Sequence, residues 1–193
     1  MITFSAQRIH WTYFIALEQD IERLARFVEP SEANLNTYSL EMCRILFAAS
    51  AECEVVLKQL ASYYSVKKTD KFDIKDLMEI VIEHVPGLVT EKVFIPRFGM
   101  EFEPWSNWKS KKSPDWWNSY NKVKHHRAQN FKESNLWHTL NSVAALMAAI
   151  VYFYRREFST NDRLPDFQDM LDILFPKSEL FYLDSKRYHF KFR

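Results

Sequence analysis

Glycine is almost missing from this chain: of its 193 residues, only Gly87 and Gly99 are glycine. Doubly wound α/β folds and β-sandwiches need glycine at turns and phosphate loops, so its scarcity favours helices. Neither a GxGxxG nor a GxxxxGK[ST] phosphate loop can be drawn. Cysteine is equally scarce. Cys43 and Cys53 lie ten residues apart on what reads as one helix, about 15 Å at a rise of about 1.5 Å per residue and beyond disulfide reach. They are expected to be small buried hydrophobes in a reducing compartment. Long hydrophobic runs are missing as well. The longest, "VAALMAAIVYFY" at 143–154, has 12 residues, where a membrane span takes about 20. The opening "MITFSAQRIHWTYF" lacks the charged head and apolar run of a secretory signal. The expectation is a cytoplasmic protein with no membrane segment, one domain spanning 1–193.

Hydrophobic periodicity predicts the helices. Ile9, Tyr13, Leu17, Ile21, Leu24 and Val28 recur at helical spacing, so 8–28 is a first helix, ended by Pro30 and "SEANLNT". A longer one runs from about Ser39 to Tyr64, with small residues on one stripe that let another helix pack close. Asp73 caps a third, "IKDLMEIVIEHV", stopped by Pro86 and Gly87. The alternating "KVFIPRFGMEFEPW" predicts an extended insertion over about 88–114, which closes with the basic loop "SNWKSKKSP". Pro114 and Asp115 open a fourth helix, and a fifth, from about Ser134 to Phe158, carries the apolar run. A short helix over 166–175 and a β-hairpin turning at Asp184-Ser185 complete a C-terminal appendage over about 163–193. The fold class is mainly α: a bundle of four to five helices over about 8–158, with the insertion and the hairpin added.

Charge is uneven. Net charge is +1 overall, yet 105–132 holds seven cations and one acid. Trp105, Trp108, Trp116, Trp117 and Tyr120 are interleaved with those cations. Lysines neutralise phosphate and aromatic faces stack on bases, so Lys109, Lys111, Lys112, Trp117, Tyr120, Lys122, Lys124 and His126 are candidate nucleic-acid contacts. The same composition also describes a solvated basic face whose tryptophans turn inward to anchor the long loop. Within "WWNSYNKVKHHR" (116–127), Asn121 and His125 stack one turn apart, Lys122 and His126 form the next row, and Lys124 and Arg127 flank them. Imidazole moves protons near neutral pH, cations hold phosphate, and an amide orients either.

"YNKVKHHR", on the helix before a long apolar one, resembles the signature of the HEPN superfamily (higher eukaryotes and prokaryotes nucleotide-binding domains). That motif is an arginine, a polar residue that is often asparagine, three variable residues and a histidine. Asn121 and His125 fall on the polar and histidine positions. Tyr120 occupies the arginine position, and Arg127 follows the histidine. "AECEVVLKQL" is similar to the helix that packs against the motif in such bundles. The resemblance covers about 38–158. It implies an up-and-down helical bundle that pairs with a second copy, binds RNA, and acts as a metal-independent endoribonuclease in phage defence or toxin–antitoxin control, where an antitoxin or other regulatory partner holds it. Asn121, His125 and Arg127 would be catalytic, giving 2′,3′-cyclic phosphate ends, and no cofactor is called for.

Other readings remain beside it. His125, His126 and His138 lack HExxH or HxxxH spacing, so no metal site is expected. His10, His84 and His189 are expected to be structural, while Glu52 and Glu54 either orient the motif from the facing helix or are solvated. The alternative function is a non-catalytic RNA- or protein-interaction module, or a nucleotide-binding antitoxin, on the same scaffold.

Overall fold

A computed structural model describes residues 8–66, 71–159 and 163–184. Apolar residues at helical spacing build α1 (Ile9–Ala25), whose buried face includes Trp11, Phe14, Leu17 and Ile21. Ser39 starts α2 (Leu40–Ser62) by accepting a hydrogen bond from the Met42 amide at 3.1 Å. Asp73 caps α3 (Ile74–His84) in a capping box: its carboxylate accepts from the Lys75 and Asp76 amides, and the Asp76 carboxylate accepts from the Asp73 amide, each at 2.9 Å. Pro86 does more than stop that helix. It sits at the first position of a short new one, α4 (Pro86–Val89), where its missing N–H costs nothing.

Between Leu136 and Glu157 runs α6, buried on every face from Thr139 to Tyr154. By length and composition it is apolar enough to cross a membrane, but 89% of its most apolar window is buried inside the chain. It is the core helix, and α2 is its main neighbour. Ala49, Ser50 and Cys53 on α2 and Ala144, Ala145, Ala148 and Ala149 on α6 are all fully buried, the small-residue stripe that lets backbones approach closely. The approach is close enough for Cys53 Sγ to lie 3.8 Å from the Ser142 carbonyl and for Thr139 Oγ1 to donate to the Met42 carbonyl at 3.2 Å. Cys43 and Cys53 are free, buried thiols.

The insertion folds as β1 (Lys92–Ile95) and β2 (Met100–Phe102), antiparallel, with Val93 opposite Phe102. Gly99 makes the turn between them at φ +62°, a conformation that costs other residues about 1 kcal/mol or more. After α7 (Phe167–Ile173), β3 (Tyr182–Asp184) pairs antiparallel with the other edge of β1, giving the order β2-β1-β3. The expected insertion and appendage are therefore parts of one sheet. The second arm of the expected C-terminal hairpin, with His189, lies outside the described residues. Glu18 of α1 ties this segment down: its buried carboxylate accepts from the Ser178 hydroxyl and from the amides of Glu179, Leu180 and Phe181. The architecture is mainly helical with a small antiparallel sheet, and α5 (Asp115–Asn130) lies against α2 and α6 on the side that carries the candidate site.

Candidate functional site

The ring systems of 105–120 face inward. Trp105, Trp108 and Trp116 are at most 2% exposed, and their rings cluster at 4.5 Å and 5.1 Å centroid separations about Trp105. Indole N–H groups of Trp105 and Trp116 donate to the carbonyls of Ala145 and Pro104. Trp117 and Tyr120 continue the chain of edge-on contacts, and Phe47 of α2 meets Tyr120 at 5.2 Å. At 6% and 5% exposure, Trp117 and Tyr120 offer no free face to a base, so the stacking role expected of them falls away. Burying large apolar area outweighs their scattered polar neighbours, and the tryptophans anchor the long loop to the core.

The cations stay outside. Lys111, Lys112, Lys124 and Arg127 are exposed, while Lys109 pairs with Glu103 at 3.1 Å and Lys122 with Glu133 at 3.5 Å. Lys124 rests over the Tyr120 ring at 5.2 Å, and the Arg127 guanidinium lies 5.5 Å over Phe131. His126 breaks the helix with φ −141° and ψ 58°, and the Asn130 side-chain amide donates to its carbonyl at 3.0 Å. The break takes Arg127 off the row that ideal helical spacing predicts for it.

An open groove of about 660 Å³ runs along α5. Asp115, Asn118, Ser119, Asn121, Lys122, His125 and His126 line it from α5, with Glu133 and His138 across from them. Asn121 is half-buried and His125 exposed one turn on, and no hydrogen bond or ion pair holds the His125 ring among the described residues. Glu133 bridges the wall, accepting from the Ser119 hydroxyl at 3.3 Å as well as from Lys122. Asn118 donates to the Ser113 carbonyl at 3.3 Å, which places the end of the basic loop beside this groove. The groove therefore brings together Asn121, Lys122, His125 and His126, and leaves out Arg127, Lys124 and the loop lysines.

His138 was not expected here. Asn135 caps α6 by accepting from the His138 amide at 3.0 Å, and the short 131–135 connection folds that first turn back onto α5. A connection this short between two helices was the one sequence signal that would have found it. Burial holds the His138 ring below the ordinary histidine range, against the opposing pull of Glu133 and Asp115.

Glu52 and Glu54 do not orient the motif. Glu52 bonds His10 at 2.5 Å, and Glu54 pairs with Lys58 at 2.6 Å one turn along its own helix. Among the described residues, no group of three or more His, Cys, Asp or Glu side chains is arranged to hold a metal ion. Comparison with family models, with curated proteins and with solved structures finds no match to this chain.

Proposed function

We propose that this chain is an RNA-binding protein of the HEPN type and a metal-independent endoribonuclease, working as a homodimer in phage defence or toxin–antitoxin control. The observation that supports this reading is His125: an exposed, uncommitted imidazole one helical turn from Asn121, on an open groove with Lys122 and His126. A neutral imidazole can take the proton of a ribose 2′-hydroxyl, whose oxygen then attacks the adjacent phosphorus. The 5′-oxygen leaves with a proton from an imidazolium, and a 2′,3′-cyclic phosphate remains. In a dimer the second imidazole is His125 of the other copy. Lys111, Lys112 and Lys124, exposed outside the groove, supply charge for the strand beyond the scissile phosphate. With Trp117 and Tyr120 in the core, recognition rests on backbone and edge contacts instead of stacking.

A labelled single-stranded RNA, incubated with wild type and with His125→Ala in EDTA, tests this. The expected result is EDTA-resistant cleavage that falls by about 10²–10⁴-fold in the variant. Binding without cleavage by both proteins refutes the enzyme and leaves the interaction module, and no binding by either refutes the RNA reading altogether.

A further inference from the structure

His138 reaches the groove from α6 under a constraint that His125 and His126 do not share. Its Nδ1 is enclosed and has no hydrogen-bond partner, and the side chain has no other polar contact among the described residues. With Nδ1 shut in, Nε2 is the ring nitrogen left to face the groove that this residue lines. A proton on Nδ1 would be an N–H buried without an acceptor, at a cost of about 1–3 kcal/mol, whereas a bare lone pair there is the cheaper arrangement. This geometry favours the neutral ring with its proton on Nε2.

We infer that His138 is the groove's uncharged hydrogen-bond donor, its Nε2–H binding a phosphate oxygen of the RNA backbone while proton transfer is left to His125. This rests on the ribonuclease reading above and assigns a further substrate contact within it. The groups around the ring fit a division of labour. Asp115 and Glu133 are carboxylates, Lys122 is spent on Glu133, and the His125 and His126 rings are exposed. A neutral donor holds a phosphate oxygen without changing the charge of the groove. Its burial, which disfavours the imidazolium, works in the same direction.

The test is fluorescence anisotropy of a labelled single-stranded RNA at about pH 6 and about pH 8, with wild type, His138→Phe and His138→Gln. Hydrogen bonds to a charged group contribute about 1.5–3 kcal/mol, so His138→Phe should weaken binding by about tenfold or more, by the same factor at both pH values. His138→Gln, which returns an N–H near Nε2, should recover most of that loss. Wild-type binding unchanged in His138→Phe, or a loss confined to the lower pH, overturns the inference while leaving the ribonuclease reading intact. A wild-type chain that binds no RNA removes both. The ring is also read directly, without RNA: nitrogen-15 spectra of the wild-type imidazole showing a proton on Nδ1 overturn the inference even if binding falls.

Discussion

Replacing Glu52 by Gln should erase a pH dependence of stability that His10 builds into the fold. His10 is 3% exposed on α1, with Nδ1 2.5 Å from Glu52 Oε1 and Nε2 3.1 Å from Gln59 Oε1, both on α2. Phe153 of α6 meets the ring edge-on at 5.3 Å, and Glu157 adds negative charge from the same helix. Each ring nitrogen faces an oxygen, so the ring is favoured with a proton on both. Burial alone would push the imidazole down. The hydrogen bonds to Glu52 and Gln59 and the Glu52 charge outweigh it, and the folded value lies above the ordinary 6.5. The folded chain therefore holds this proton more tightly than the unfolded one. The stabilisation is complete below about pH 6.5 and drains away as the pH rises through the higher folded value.

A charge-assisted hydrogen bond contributes about 1.5–3 kcal/mol. Breaking a buried ion pair can cost about 3–5 kcal/mol, but an abandoned imidazolium sheds its proton, which keeps the loss near the lower range. Glu52→Gln should thus cost about 2 kcal/mol at pH 5.5 and distinctly less at pH 8.5, read from urea unfolding. His138 acts with the opposite sign: its folded value is depressed, so its contribution is intact above the ordinary value and lost as the pH falls. Wild type carries both effects, and subtracting the Glu52→Gln curve isolates His10. If the variant loses the same stability at both pH values, the His10–Glu52 pair is not the source of the pH dependence.

Two further outcomes are expected. Gly87→Ala puts a Cβ 2.6 Å from the Tyr152 hydroxyl, which donates to the buried Glu91 carboxylate at 2.7 Å, so it should lower stability by about 1–3 kcal/mol; an unchanged unfolding midpoint would show that the contact relaxes freely. Arg127→Ala, which removes a guanidinium lying over Phe131 outside the groove, should leave RNA cleavage within about fivefold of wild type, and a loss as large as that of His125→Ala would return Arg127 to the reacting centre.

The helices were legible because their signals are local. Ser39 and Asp73 cap where their side chains can reach the next turn's amides, and the apolar spacing of α1, α2 and α6 has no competing reading. Pairing was not legible. The strand 182–184 alternates as a strand should, yet nothing within it names β1 as its partner, because that choice is made by Glu18 holding 178–181 against α1. Composition was equally silent on direction in 105–120. Tryptophans beside lysines describe a stacking surface and an anchored loop alike, and the decision came from Ala145 and Pro104 carbonyls waiting for indole N–H groups in the core.

At the candidate site the missing information was a break in a helix that carries neither proline nor glycine there. An unbroken α5 would carry Arg127 around beside Lys124. The turn at His126, held by Asn130, lays it on Phe131 instead. The consequence is electrostatic. Asp115 and Glu133 line the groove, and Lys122, the one lysine lining it among the described residues, is tied to Glu133, so the fixed charges there do not favour a phosphate. An RNA strand would therefore be held by hydrogen bonds to its backbone and by the exposed cations outside the groove, Lys111, Lys112 and Lys124. His138, with its enclosed nitrogen, offers such a bond without adding charge, and the exposed His125 and His126 line the same groove beside it.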